Sequence, residues 1–439
     1  MKFIQILLIT IAAAQLGYPQ NIDTNKLDEY FNTLDSHDQF MGSIAILKEG
    51  EIIYNKQTGF CDIDTDQKPN ENSKYQIGSI SKTFTAVLVF KAIEEGKLSL
   101  SQTIDTFFPT IENAGKITIS HLLSHRSGIH NYTDNKKEYL SYHTDPKTEK
   151  EMVEIIAGGG SDFEPDSKAA YSNSNYVLLS YILEKIYEKP FAKILEDEIT
   201  SPLKLKNTHF GGKIKVENNE CYAYSLDRNW NKMDETDSSI DMGAGGIVST
   251  PTDLVRFAEA LFTNKIISAE NVEMMKTIQD KFGMGLFEIQ YYDKVSFGHN
   301  GEIDGFISVF RYFPDENYAF AITSNGGNYS MNSVAVTIVN SLFNKHYDIP
   351  EFRTYEPKSK ELKQYLGQYS SETFPVQLTV TKSGKQLFIQ ATGDSKMSLQ
   401  ATAKGEFKYE PAGISIEFMT EKQQMKITQG GKTNILNKE

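Results

Sequence analysis

Ser79 and Lys82 are the residues of this 439-residue chain whose types and spacing could do nucleophilic chemistry. A serine hydroxyl needs a base within hydrogen-bond reach, and a spacing of three residues on a first helical turn brings an amine beside it. The apolar residues that follow recur at helical spacing for about four turns. Unpaired N–H groups at the start of that helix could also hold an oxyanion. This stretch therefore predicts a nucleophile at Ser79.

The same Ser-x-x-Lys spacing occurs again at Ser201 and Lys204, and its context separates the two pairs. Pro202 follows Ser201 in a polar connection with no long helical pattern behind it. Taken alone, even Ser79 would more often cap a helix than react. The catalytic interpretation therefore depends on further polar groups later in the chain.

A tyrosine triplet, Tyr171-Ser172-Asn173, comes just before a helical pattern that begins at Asn175. It would hold a phenol and an amide at the edge of the helical region. The Tyr171 hydroxyl could relay a proton that Lys82 cannot manage alone.

A histidine triplet, His299-Asn300-Gly301, ends a strand pattern that begins at Val295. Gly301 would let a substrate backbone approach closely. The backbone N–H of Glu302 would be a second oxyanion donor. Both features predict a substrate-binding strand next to the nucleophile.

Each triplet also has a structural interpretation. The tyrosine triplet alone would more often cap the next helix, and His299 alone would more often be a hydrogen-bonded histidine at a strand end. Similar triplets occur at residues 30–32 and 209–211. The order of the motifs along the chain favours Ser79 over Ser201 as the nucleophile, because Ser79 is followed by both triplets in turn and Ser201 is followed by no Tyr-x-Asn.

With these motifs the chain resembles the serine β-lactamase and penicillin-binding protein superfamily, on the side of class C enzymes, DD-carboxypeptidases, D-aminopeptidases and related esterases. The resemblance covers most of residues 40–345 and includes the segments YQIGSISK, ITISHLLSHRSGI, DMGAGGIVSTPTDLVRF and GHNGEIDGF. It implies that Ser79 is acylated, with Lys82 and Tyr171 as the general base and acid. It also implies that Asn173 contacts a substrate amide and that His299 helps to position it.

His299 departs from the pattern of class C β-lactamases, which carry Lys-Thr-Gly at this triplet. An imidazole offers a hydrogen bond more reliably than a charge near neutral pH, and Glu302 disfavours an anionic substrate group close by. We therefore expect an exported serine hydrolase that acts through a Ser79 acyl-enzyme on ester, D-amino-acid amide or peptide, or β-lactam-like substrates, with β-lactams turned over poorly. The alternative is a penicillin-binding or sensing module that does not turn over its ligand.

The predicted fold class is α/β of the α+β kind, with an antiparallel sheet flanked by helices, an inserted all-helical lobe and a small C-terminal antiparallel β domain. A hairpin around Glu49-Gly50 begins the sheet, helical patterns dominate from Thr83 to Ile278, and strand patterns resume at Val295. We expect residues 21–350 to form the hydrolase domain. Residues 358–439 resemble the lipocalin-like β domain appended to such hydrolases.

Charge and composition limit the partners of the protein. The chain has 45 basic and 58 acidic residues and a net charge of −13, which argues against nucleic acid and anionic membrane surfaces. A small-molecule or peptide substrate fits better, and the oligomeric state is left open. No sequence stretch predicts a membrane span, and no pattern predicts a cofactor.

Two histidines and a glycine cluster receive structural interpretations. His121 and His125 are four residues apart, but Leu122 stands where a zinc peptidase needs Glu, so we expect a packing role and no metal site. The cluster from Gly243 to Gly246 lacks the lysine of a phosphate loop and predicts close backbone packing beside the site.

The N-terminus and the cysteines bear on the compartment. Residues 1–20 have a charged start, an apolar core and small residues, which predicts a secretory signal and a periplasmic or secreted protein. Cys61 and Cys221 are the only cysteines. An oxidising compartment would allow them to pair, but neither spacing nor context argues for a disulfide, so two free thiols are expected.

Overall fold

The structure of the protein is a computed structural model that describes residues 22–226, 229–352, 355–392, 396–429 and 432–439. The predicted signal segment, residues 1–20, lies outside the described residues. Within the described ranges, no helix is long and apolar enough to cross a lipid bilayer.

The chain starts with a helix that packs on a hairpin. Helix α1 (Thr24–Ser36) precedes strands β1 (Met41–Lys48) and β2 (Glu51–Thr58). Asp23 caps α1 by accepting a hydrogen bond from the Lys26 N–H at 3.0 Å. The buried face of the helix consists of Leu27, Tyr30, Phe31 and Leu34.

A mostly helical insertion follows β2. Its helices are α2 (Ser81–Glu94), α3 (Ile119–Leu123), α4 (Lys136–Tyr139), α5 (Glu149–Gly159), α6 (Asn173–Tyr187), α7 (Phe191–Leu195), α8 (Ser238–Gly245), α9 (Pro251–Phe262) and α10 (Ala269–Lys276). Its short strands are β3 (Tyr75–Gln76), β4 (His209–Phe210), β5 (Tyr224–Leu226), β6 (Trp230–Lys232) and β7 (Ile247–Ser249), paired as β3-β7-β4 and β5-β6. The lobe is helical as predicted apart from these strands, which are too short to show alternation in the sequence.

The main sheet is completed after the insertion. Strands β8 (Phe287–Tyr291), β9 (Lys294–Ile303), β10 (Phe306–Phe313) and β11 (Tyr318–Gly326) precede helix α11 (Met331–Leu342). The six antiparallel strands lie in the order β2-β1-β11-β10-β9-β8. Because β8 pairs only with the Lys294–Gly298 part of β9, the sheet edge beyond it consists of residues 299–303.

The main sheet has a hydrophobic core on each face. Phe310 packs with the insertion, in one cluster with Phe84 of α2 and Phe257 of α9. Val309, its neighbour along β10, packs on the opposite face in a cluster with residues of α1 and α11. The predicted class, an antiparallel sheet flanked by helices, is therefore confirmed.

The C-terminal residues form a closed β-barrel. Helix α12 (Ser359–Leu362) precedes strands β12 (Gly367–Ser370), β13 (Leu378–Ser383), β14 (Gln386–Ala391), β15 (Met397–Ala403), β16 (Glu406–Tyr409), β17 (Ile414–Met419), β18 (Gln424–Gln429) and β19 (Lys432–Lys438). Leu362 and Tyr365 are buried in its core, where the Tyr365 ring stacks on Phe418 with centroids 4.6 Å apart. The predicted small antiparallel β domain is confirmed, and its separate core supports our proposed boundary within residues 350–358.

The expectation of two free thiols is wrong, because Cys61 and Cys221 are joined by a disulfide. The Tyr222 N–H donates to the Cys61 carbonyl oxygen at 2.9 Å, and the Cys221 N–H donates to Lys74 O at 2.9 Å. These backbone contacts bring together two segments separated by 160 residues, which sequence spacing could not reveal.

Candidate active site

Ser79 lies in a 3-10 turn, Gly78–Ile80, that leads directly into α2. Gly78 has φ +49°, and a Cβ there would lie 2.8 Å from the Glu302 backbone nitrogen. A Cβ on Gly301 would lie 1.9 Å from the Ile77 carbonyl oxygen. Both glycines therefore permit the close approach that sets Ser79 against the free edge of β9.

Lys82 is fully buried one turn into the helix and points back at the serine. Its Nζ donates hydrogen bonds to Ser79 Oγ at 2.9 Å, Asn173 Oδ1 at 2.8 Å and the Ala244 carbonyl oxygen at 2.7 Å. Three acceptors match the three hydrogens of an ammonium group. The amine is therefore held in one orientation within reach of the nucleophile.

The environment of Lys82 favours proton acceptance near neutral pH. Burial lowers the pKa of Lys82 to about 7, although the Asp241 carboxylate acts in the opposite direction. Asp241 is itself buried and accepts a hydrogen bond from the Tyr132 hydroxyl at 2.9 Å. A substantial fraction of Lys82 is thus neutral at pH 7 and can act as a base.

Tyr171 lies beside the same amine, with its ring centroid 5.0 Å from Lys82 Nζ. Burial raises the pKa of the Tyr171 phenol well above its usual range, and hydrogen bonding with Ser79 offsets this only in part. The phenol therefore keeps its proton near neutral pH. It is suited to donate that proton, while Lys82 is suited to accept one.

Asn173 belongs to a hydrogen-bond network that the sequence did not indicate. Its backbone N–H donates to Asn131 Oδ1 at 2.9 Å, and its side-chain amide donates to Thr133 Oγ1 at 3.0 Å. These contacts leave Asn173 Oδ1 facing Lys82. Asn131 and Thr133 lie within four residues of the end of the HLLSHRSGI segment, and this proximity is the one sign of their position in the sequence.

His299 is buried at the free edge of β9, and its Nδ1 hydrogen-bonds to the Asn300 carbonyl oxygen. Because a carbonyl only accepts, Nδ1 carries the proton and Nε2 is an acceptor. Burial lowers the pKa of His299 to about 3, with further lowering from Lys82. The imidazole is therefore neutral at physiological pH, in line with its expected role as a hydrogen-bonding group.

His125 has a place in the site that the sequence interpretation missed. Its ring centroid lies 4.5 Å from that of Tyr171, and its Nδ1 accepts a hydrogen bond from the Ser172 N–H at 3.2 Å. His125 also has φ +57°, a conformation that is uncommon for residues other than glycine. His125 therefore contacts the Tyr171 ring and hydrogen-bonds the backbone of the tyrosine triplet, in addition to packing in the core.

The glycine cluster lies next to Lys82, as predicted. The Thr85 hydroxyl of α2 donates to the Gly243 carbonyl oxygen at 2.7 Å, and α8 is kinked at Met242, where φ is +41° and ψ is −132°. A Cβ on Gly243 would lie 2.4 Å from Thr85 Oγ1. This close packing directs the Ala244 carbonyl toward Lys82.

Six of the eight predicted site residues line one cleft of about 380 Å³. Its wall includes Ser79, Tyr171, His299, Asn300, Gly301 and Glu302. Lys82 and Asn173 lie directly behind Ser79 through the hydrogen bonds described above. The structure thus brings together all eight residues named from the sequence.

The second Ser-x-x-Lys pair has a different setting. Ser201 and Lys204 are exposed and line a separate cavity of about 700 Å³ between α7 and β4. Neither side chain has a hydrogen bond to the other in the described part of the chain. The cavity is larger, but its described lining residues offer Ser201 no buried amine within hydrogen-bond reach, so the chemistry favours Ser79.

Within the described ranges, no three His, Cys, Asp or Glu side chains are grouped closely enough to hold a metal ion. The arrangement at Ser79 consists of a nucleophile, a base with a lowered pKa, a protonated phenol and a free strand edge. Such a set can carry out acyl transfer.

Comparisons with known proteins identify the family. The sequence profile of the family described as Beta-lactamase matches residues 29–338, more than half of the chain. A penicillin-binding protein of Bacillus subtilis is 25% identical over 89% of this chain and 93% of its own length. A teichoic acid D-alanine hydrolase of Staphylococcus aureus is 25% identical over 69% of this chain and 75% of its own.

A solved structure shares the same fold. The D-amino acid amidase of Ochrobactrum anthropi superposes with a TM-score of 0.59 at 26% identity, over 71% of this chain and 97% of the amidase. The chain therefore belongs to the Beta-lactamase family, within the superfamily of serine β-lactamases and penicillin-binding proteins.

Proposed function

We propose that this protein is an exported serine hydrolase that forms an acyl-enzyme at Ser79. The observation that carries the proposal is the 2.9 Å contact between Ser79 Oγ and the Nζ of buried Lys82, whose pKa is lowered to about 7. A neutral amine at this distance can take the serine proton as Oγ attacks a carbonyl carbon.

The proposed acylation step uses three proton transfers. Lys82 accepts the Ser79 proton while the Oγ–acyl bond forms, and the backbone N–H groups of Ser79 and Glu302 stabilise the oxyanion. Tyr171 then donates its phenolic proton to the leaving oxygen or nitrogen as the acyl–leaving-group bond breaks. The Lys82 proton restores the phenol. In deacylation, a water molecule attacks the acyl carbon and gives its proton to Lys82. Tyr171 then donates a proton to Ser79 Oγ as the acyl bond breaks, the Lys82 proton restores the phenol, and the acid is released.

We propose esters and amides or peptides of D-amino acids as the substrate class, with β-lactam-like compounds turned over poorly. The neutral imidazole of His299 supports this preference, because its free Nε2 accepts a hydrogen bond and offers neither a donor nor a positive charge to a carboxylate adjacent to the reacting carbonyl. Relatives named as a D-alanine hydrolase and a D-amino acid amidase support it as well. The apolar N-terminal segment supports export.

The test is turnover and labelling of the purified protein with a matched serine pair. We expect hydrolysis of short nitrophenyl esters and D-amino-acid anilides, and a fluorophosphonate adduct on the Ser79 peptide. Ser79→Ala should abolish both signals, and Ser201→Ala should leave both unchanged. An adduct on Ser201 would refute the assignment. A Ser79 adduct with penicillin but no turnover of any substrate would instead identify a penicillin-binding or sensing module.

A further inference from the structure

Arg311 is a buried cation for which the described chain provides no anion. The side chain comes from β10 and the residue is only 4% exposed. The Tyr291 phenol interacts with the guanidinium, and no carboxylate among the described residues pairs with it. Buried charges are normally paired, because removing a charge from water costs several kcal/mol.

The hydrogen bonds of Arg311 are made only to neutral groups. Nη1 donates to the His299 carbonyl oxygen at 3.1 Å and to the Phe310 carbonyl oxygen at 2.7 Å, and Nη2 donates to Asn300 Oδ1 at 2.6 Å. The Nε–H is buried and has no acceptor within the described ranges. Burial lowers the pKa of the guanidinium, but arginine stays charged in proteins. The cation is therefore incompletely satisfied.

Arg311 lines the same cleft as Ser79, on the other side of the β9 edge. In the sheet register Arg311 is opposite Gly298 and Phe310 is opposite His299, so the Arg311 and His299 side chains lie on opposite faces. Because residues 299–303 have no partner strand on their outer side, the cleft continues around this edge. A substrate held against β9 at Ser79 can thus reach Arg311 with a remote group.

Two further groups near Arg311 suit an anion. Met331, Asn332 and Ala335, from the first turns of α11, line the same end of the cleft, and helix N-termini favour negative charge. Asn332 is exposed with its amide free to donate. The one carboxylate in the lining, Glu302, is exposed and so is screened by solvent.

We propose that Arg311 forms a subsite for a carboxylate or phosphate group carried by the substrate at a distance from the reacting carbonyl. The Asn300 amide oxygen occupies the position that an anion oxygen would take, and Asn300 is exposed, so its side chain can move aside. A carboxylate attached next to the reacting carbonyl would lie on the His299 face and could not use this subsite. The inference rests on the proposed hydrolase function for its substrate.

The test measures binding without turnover, in Ser79→Ala protein, by calorimetry. In the first ligand series, D-alanine anilide is the counterpart without an anion, and its 3-carboxy and 3-phosphono derivatives carry an anion on the aryl ring. In the second series, N-acetyl-D-alanine anilide is neutral and N-succinyl-D-alanine anilide carries a carboxylate on the acyl side. We expect at least one anionic ligand to bind about tenfold or more tightly than its neutral counterpart. This advantage should disappear in Arg311→Met and persist in Arg256→Met, which removes an exposed arginine. The ring derivatives distinguish a carboxylate from a phosphate group.

If Arg311→Met does not fold, a second variant, Asn332→Asp, tests the same subsite. Asn332→Asp adds a negative charge at an exposed position of the same cleft end, and it should weaken the anionic ligand selectively. Equal binding of charged and neutral ligands by Ser79→Ala protein would overturn the subsite. An anion preference that survives Asn332→Asp and Arg311→Met would overturn it too. Absence of turnover by the parent protein, with the anion preference intact, would contradict the hydrolase function alone.

Discussion

The Nζ of Lys82 and the carbonyl oxygen of Ala244 lie 2.7 Å apart, in a contact between α2 and the kinked end of α8. The Ala244 carbonyl and Asn173 Oδ1 can accept the two hydrogens of the neutral Lys82 amine, which leaves its lone pair directed at Ser79 Oγ. Orientation and burial together make this lysine a base. The activity of the protein should therefore follow the titration of Lys82.

The first prediction concerns pH. A lysine whose pKa is lowered to about 7 is increasingly neutral above that pH, so kcat/KM for a neutral ester should rise through about pH 7 and level off above it. Lys82→Arg keeps a positive charge that cannot titrate in this range, and it should lower kcat/KM by roughly 10² to 10⁴-fold. Ester hydrolysis measured from pH 5 to 9 checks both. Activity within about tenfold of the parent would mean that the base lies elsewhere.

Asp241 gives a second prediction for the same profile. Its negative charge raises the pKa of Lys82, so Asp241→Asn should move the rising limb of kcat/KM to lower pH. The asparagine can still accept the Tyr132 hydrogen bond that the carboxylate accepts at 2.9 Å. Tyr132→Phe is the matched control, because it removes that bond without removing a charge. A profile that moves equally in both variants would show that packing rather than charge is responsible.

Much of the fold and the site could be predicted because local pattern and motif order point to the same answer. The hairpin predicted around Glu49-Gly50 joins β1 and β2, and Tyr171 and His299 line one cleft with Ser79. The remaining contacts join distant segments through single side chains. Thr133 beside Asn173, and Arg311 at the cleft, have no periodicity or spacing that marks them. Tertiary packing alone places them.

His125 is predicted to position Tyr171. Removing its acceptor should free the Ser172 N–H and loosen the phenol, so His125→Phe should lower kcat by about tenfold to a hundredfold with a smaller change in KM. His121→Phe, four residues earlier, removes a capping interaction with the Thr118 N–H and should lower stability without this loss of kcat. Steady-state kinetics at equal folded concentration check the pair. A purely structural role would lower the melting temperature in both and kcat in neither.

The disulfide predicts the thiol content and the stability of the protein. Thiol titration of unfolded protein should find no free cysteine before reduction and two after it, because Cys61 and Cys221 are paired. Loss of the pair in Cys61→Ser/Cys221→Ser should lower the free energy of unfolding by about 2 to 5 kcal/mol, since the bond closes a long loop. Denaturant unfolding with and without reductant measures this. Two free thiols in the oxidised protein would contradict the pairing.

His299 predicts the choice between esters and β-lactams. Its pKa is lowered to about 3, so it is neutral at every pH above about 5 and offers no charge to the carboxylate of a β-lactam ring. We expect kcat/KM for nitrocefin to fall below that for D-amino-acid anilides and short esters near neutral pH. His299→Lys introduces an amine at the same strand edge and should raise the nitrocefin rate relative to the esters, whereas His209→Lys, on a half-buried strand outside the cleft, should not. Nitrocefin ranking first in the parent protein by about tenfold, roughly 1.4 kcal/mol of transition-state preference, would make the protein a β-lactamase in activity as well as in family.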